Sequence, residues 1–333
     1  MRSFLEFRPC SRKAGRVSWC YFVTAVGVFA SCVGCNHGSS GGAAPVDSGM
    51  PTAAVSAAIR TSDAGPMNAL PIAAASVAYV VNQSNLPAYD GPTGSVEGTI
   101  LVKGPASPDV PSLDVRPCPA ALDTYGKVFR EGPARADGTR PLGDAVVAVT
   151  GYEGYFVPEK QEAQRIAISA SCGYPTRTIA TTFGQRLEFV NDSKLPFAPY
   201  LEDAFEPAVM IAPPDRNGEP VKMYPPQAGY FTLKDRLQPF VRGDVYVMRQ
   251  PLHAVSNVAG YYRIDGVPVG KLKVGARLAE LNPPGNEAQQ DVEVRPNVVQ
   301  KVDIVLTYTP AAPRDAGAPR AATDGGRPPV IIH

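Results

Sequence analysis

The chain has 333 residues, and 32 Lys plus Arg stand against 31 Asp plus Glu, so its net charge is close to zero. No basic stripe runs along it and its aromatics are not interleaved with arginine, which excludes the electrostatic footprint of a nucleic-acid binder. Proline at 35 positions argues against long helices, and low-complexity ends leave far fewer than 333 residues for a core.

The first segment is an address. Arg2, Arg8, Arg12, Lys13 and Arg16 precede an apolar run from Val17 to Ala30, which ends at Ser31-Cys32 and Gly34-Cys35. A basic head, a short apolar core and a small-residue exit make a secretory signal. The run is shorter than the roughly 20 residues a membrane span needs. Phe29-Ala30-Ser31-Cys32 resembles the lipobox of bacterial lipoproteins, with a bulky apolar residue three places before the cysteine. The resemblance implies cleavage after residue 31, diacylation of Cys32 and a lipid anchor in a membrane. Cys35 is the alternative, although Cys32 itself would then stand where the apolar residue belongs. Each buried methylene of an acyl chain contributes about 0.8 kcal/mol, so two or three chains hold a protein on a membrane stably. The expected location is the cell envelope, at the outer membrane or its periplasmic face.

Residues 32–92 are dominated by Ala, Gly, Ser and Pro and read as a tether, since such a segment buries too little apolar surface to offset its ordering entropy. Its reach would be roughly 40 Å. The apolar patch from Ile72 to Val81 is a candidate edge strand. Residues 309–333 read as a disordered tail.

Between these ends, strand signals dominate. Ser95–Val102, Asp144–Thr150, Arg165–Ala170, Arg186–Val190, Tyr230–Leu233 and Asp244–Met248 are short runs rich in Val, Ile and aromatics, with Gly, Pro, Asn or Asp between them. Tyr261–Ile264, Lys271–Ala276, Asp291–Val294 and Val302–Leu306 complete the set. This pattern predicts an all-β fold of antiparallel β-sandwiches. Cys118 and Cys172 are the two cysteines of the folded part and, in an oxidising compartment, most simply form one disulfide, with free thiols or a metal site as the alternative.

Two stretches resemble known families. The tract Asn257-Val258-Ala259-Gly260-Tyr261-Tyr262-Arg263-Ile264-Asp265-Gly266-Val267-Pro268-Val269-Gly270 resembles carboxypeptidase regulatory-like, transthyretin-type β-sandwich domains, with a Gly turn, an aromatic strand and a Gly-x-Pro-x-Gly corner. The resemblance implies that 251–308 packs with strands from 95–150. Residues 93–250 resemble cupredoxin-like domains through Cys172-Gly173-Tyr174-Pro175 and Phe183-Gly184-Gln185-Arg186-Leu187-Glu188-Phe189-Val190-Asn191-Asp192. That family then supplies a copper-ligand histidine, followed later by a Cys-x-x-His-x-x-Met pattern. Here the corresponding stretches read Ser193–Tyr200 and Lys234–Val241, without a histidine or a cysteine.

A blue-copper site takes two imidazoles, a thiolate and a weak axial ligand. His253 is the sole histidine between the tether and the last residue, so no metal and no cofactor is expected. As a catalytic base beside Ser256 it lacks a Gly-x-Ser-x-Gly elbow, and it reads as a solvated loop residue. The acidic group Asp192, Glu202, Asp203 and Glu206 does not follow a calcium-loop spacing. Phe197, Tyr200, Phe205 and Tyr224, with His253, form the candidate binding surface for an envelope protein or a carbohydrate. The sequence therefore predicts a non-catalytic exported lipoprotein, structural or binding in role. The alternatives are a periplasmic cupredoxin-type electron-transfer or copper-handling protein and a carbohydrate-binding accessory module.

Overall fold

The computed structural model describes residues 71–202, 204 and 209–310. The anchor candidates Cys32 and Cys35, most of the tether, the acidic Asp203 and Glu206, Phe205 and the tail from residue 311 lie outside the described residues.

The first described element corrects an expectation. Residues Ala74–Val81 form a helix, α1, and not an edge strand. Its Ala-rich sequence has the best helix propensity, and no neighbouring strand offers it a ladder. Val77, Val80 and Val81 recur at helical spacing and pack on an apolar core, so the expected tether is structured at its end. Val77 sits directly over Gly184, whose φ is +98°; a Cβ there would lie 2.7 Å from the valine.

Strand β1 (Thr93–Lys103) follows, with buried residues at alternate positions, then a long connection containing α2 (Leu122–Tyr125). Two further strands, β2 (Arg140–Pro141) and β3 (Val146–Thr150), complete this opening part. The middle of the chain supplies β4 (Ala163–Ile168), β5 (Thr178–Thr182), β6 (Arg186–Asn191) and β7 (Pro199–Leu201). It continues with β8 (Val221–Met223), β9 (Gly229–Asp235) and β10 (Arg242–Met248). The closing part holds β11 (His253–Val255), β12 (Tyr261–Pro268), β13 (Gly270–Arg277), β14 (Glu287–Val294), β15 (Val299–Lys301) and β16 (Ile304–Thr307).

Opening and closing parts share their sheets. β1 is antiparallel to β12 and β2, and parallel to β15 and β16. β3 lies between β11 and β13, and β14 continues that sheet. These two sheets enclose a core of Val96, Ile100, Val147, Tyr262, Val274 and Ile304 among others. The middle strands form a second sandwich. One sheet has the order β4-β6-β8 and the other β5-β10-β9-β7, and each contains one parallel pair. Its core includes Ile168, Phe189, Phe197, Leu233 and Val245, with Val115, Ala121 and Tyr125 contributed from the connection after β1. The Cys118–Cys172 disulfide ties that connection to the middle strands.

The two sandwiches meet face to face. Val146 and Ala148 of β3 pack against Ala180 of β5 and Tyr246 and Met248 of β10. The result is four layers with three apolar interfaces. A strand in an inner layer has no solvent face, which is why Val146-Val147-Ala148-Val149 is a continuous apolar run without alternation. β5 is buried at all five positions for the same reason.

Candidate functional site

Polar groups gather at two places, the end of β9 and the junction of the sandwiches. From Asp235, the last residue of β9, the Cys-x-x-His-x-x-Met spacing falls on Asp235, Gln238 and Val241. All three are buried. Asp235 accepts the backbone N–H of Ala198 at 2.7 Å with one carboxylate oxygen, and those of Leu237 and Gln238, both at 2.9 Å, with the other. Gln238 donates through Nε2 to the Pro196 carbonyl at 2.9 Å. Phe197, between the two residues so tied, has 0% of its surface exposed. Upstream, Asn191 donates to the Leu195 and Ala212 carbonyls and accepts from Ser193. The residues do not fit copper. A blue-copper site takes a thiolate and two imidazoles, whereas this place offers a carboxylate with three donors, an amide and a phenyl ring, and the polar groups already hold each other. Burial pushes the Asp235 carboxyl up to about 6 against its three backbone donors.

These hydrogen bonds join the loop before β7 to the loop after β9. Tyr200 lies beside them, half-buried, with the Arg236 guanidinium 4.3 Å from its ring centroid. Tyr224 is half-buried just after β8. Phe197 is a core residue and offers no ring to a ligand, a correction to the expected surface: its side chain fills the sandwich between two tied backbones.

His253 belongs to a different place. It opens β11 and reaches β5, the far edge of the sheet from β7, so about 14 Å of strand spacing separates it from the Tyr200 edge. It is not a solvated loop histidine. Burial lowers its pKa to about 4, keeping the imidazole neutral at physiological pH. Its Nε2 lies 3.2 Å from the Thr182 hydroxyl, which donates to Glu159 at 2.7 Å. Because the hydroxyl proton is committed to a carboxylate, the imidazole carries its proton on Nε2 and keeps a lone pair on Nδ1.

A polar cleft of about 380 Å³ surrounds this chain of groups, lined chiefly by Glu159, Gln164, Thr176, Thr178 and His253. It lies where β4, β5 and β11, each the edge of its sheet, converge. The Gln164 side-chain oxygen is buried without a hydrogen-bond partner. Sequence reasoning singles out His253 but misses Gln164, Thr176, Thr178 and Glu159. Glu159 and His253 stand 94 positions apart, and the group shares no motif; only the fold brings these residues together.

No family model matches the chain, and no curated protein matches it. Among solved structures it is similar to a reduced-state amicyanin mutant at 18% identity, over 26% of this chain and 81% of that one, with a TM-score of 0.22. The Cu(I) form of another amicyanin mutant gives 19% identity, 27% and 85% coverage and a TM-score of 0.23. A purple cupredoxin from Nitrosopumilus maritimus gives 17% identity, 25% and 97% coverage and a TM-score of 0.21. Likenesses of this size assign no activity to the chain.

Proposed function

We propose that this protein is a non-catalytic, metal-free binding or structural module displayed at the cell envelope. In this reading Cys32 carries the lipid anchor, the segment after it is the spacer, and the four-layer β body is the exposed working part. The outer sandwich is read as a carboxypeptidase regulatory-like module and the middle one as a cupredoxin-like domain that no longer takes copper. The observation that supports it is the hydrogen-bonded filling at the end of β9: Asp235, Gln238 and Phe197 join the two loops without leaving a ligand set.

The test is spectroscopic. Adding copper(II) to the purified full chain is expected to give no intense visible band. A strong band that disappears in His253→Ala or Met248→Ala would replace this reading with the copper-handling one. The anchor is tested separately: Cys32→Ser is expected to abolish acyl labelling and Cys35→Ser to leave it, and the reverse pattern would move the anchor to Cys35.

A further inference from the structure

We infer that the cleft between β4, β5 and β11 is a binding site for a neutral saccharide, held by hydrogen bonds from its hydroxyl groups. The inference rests on the reading of the chain as a binding module and gives that module a site and a ligand class. Three observations carry it.

First, the cleft has the volume of a small-molecule pocket, at the lower end of the roughly 300–1,000 Å³ range, and polar side chains make up most of its lining. Second, its charged group is already spent. Glu159 accepts the backbone N–H of Lys160 and of Gln161 with one oxygen and the Thr182 hydroxyl with the other. A carboxylate with three donors has little left for an ammonium group, yet it still repels an anion, so both ligand charges are disfavoured. Third, the groups that remain unanswered are neutral acceptors. The Gln164 oxygen is buried and without a partner, and the His253 imidazole, with its proton on Nε2, has an acceptor at Nδ1. A buried acceptor without a donor is costly, and a ligand hydroxyl relieves it. A hydroxyl both donates and accepts, so it also answers the Gln164 amide in its opposite orientation, and it can donate to the Thr176 hydroxyl, whose own proton goes to the Thr178 carbonyl at 2.7 Å. A ring bearing several hydroxyls presents such groups in several directions at once.

The site differs from the surface expected from the sequence: of the described residues of that surface only His253 lines the cleft, and Tyr200 lies across the sheet. Titration calorimetry of the full chain with glucose and maltose, against glucosamine and glucuronate, provides the test. The neutral sugars are expected to bind saturably, at least about tenfold more tightly than either charged sugar. Gln164→Leu and His253→Phe are expected to weaken them about tenfold or more, and Tyr200→Ala to leave them unchanged. Should Gln164→Leu fail to fold, Gln164→Glu, which adds a charge at constant volume, is expected to weaken binding equally. No saturation by either neutral sugar up to about 50 mM, equal binding of the charged sugars, or indifference to both cleft substitutions would overturn the proposal. A chain that takes neither sugar nor copper loses this site but keeps the metal-free reading, whereas copper uptake defeats that reading by its own signal.

Discussion

Asp144 is the residue on which the two sandwiches turn. Its side chain is fully buried, its φ is +68°, and it pairs with Arg130 and, at 3.5 Å, with Arg177. Arg177 also donates its backbone N–H to Asp144 at 2.8 Å and its guanidinium to the Lys127 and Val128 carbonyls. Glu280 closes the group at 3.3 Å from Arg177. One carboxylate thus faces two guanidinium groups that are themselves nearly buried. Asp144→Ala is expected to cost about 3–5 kcal/mol in denaturant unfolding, because it takes the carboxylate from the nearly buried Arg130 and leaves Arg177 with Glu280 alone. A loss below about 1 kcal/mol would mean that water replaces the carboxylate. Nothing in the sequence marks this aspartate, since its partners stand 14, 33 and 136 positions away. The cysteine pair is legible because composition leaves two cysteines in the folded part; an ion cluster has no such arithmetic.

Glu280 carries the pH dependence of the junction. Burial, and then the nearby Asp244 charge, push its carboxyl up to about 7 from an ordinary 4.5. Between those values the folded state holds a proton that the unfolded chain has released, so this group's contribution is full below about 4.5 and is lost as pH rises to about 7. His253 acts oppositely, contributing fully above 6.5 and losing it as pH falls to about 4. Comparing wild type with Glu280→Gln isolates the first effect. The melting temperature of the variant, relative to wild type, is expected to rise between about pH 4.5 and 7.5. A constant difference across that range would contradict the assignment.

At the level of elements, the longer strands are readable in the sequence, whereas three-residue strands such as β8, β11 and β15 are too short to show a pattern. β1 and β12 alternate buried and exposed positions, and their sequence patterns alternate with them. The inner-layer strands β3, β5 and β10 lack that alternation because both faces are covered, and Thr178-Ile179-Ala180-Thr181-Thr182 offers β-branched residues but no alternation. α1 passes for a strand in the sequence because an apolar decapeptide suits either a strand or a buried helix until its partners are known. β1 also shows why the closing part depends on the opening one. It separates β12 from β15 and β16, while β3 separates β11 from β13. A fragment of residues 257–308 therefore lacks two central strands and is expected to remain unfolded by circular dichroism. A soluble fragment with a cooperative melt would show that the closing strands pair on their own.

For the whole molecule, the four layers make the middle sandwich an insertion between strands that pair with each other across it. The apolar contact of β3 with β5 and β10 and the Asp144 cluster span the same boundary. The body should therefore unfold as a unit. The strands of the middle sandwich are largely legible in the sequence, and so is the absence of histidine and cysteine from 193–200 and 234–241. The interlock of Asp235, Gln238 and Phe197 is not legible, because these residues acquire their roles only when the loops before β7 and after β9 come together.

Scanning calorimetry of the full chain, with and without equimolar copper(II), tests the metal-free, single-body reading most directly. Anything that binds the folded state alone raises its stability in proportion to the logarithm of ligand over Kd, so a true copper site would register strongly. One cooperative transition is expected for the β body, at a temperature that copper does not raise. Two separate transitions, or an upward shift with stoichiometric copper, would contradict it.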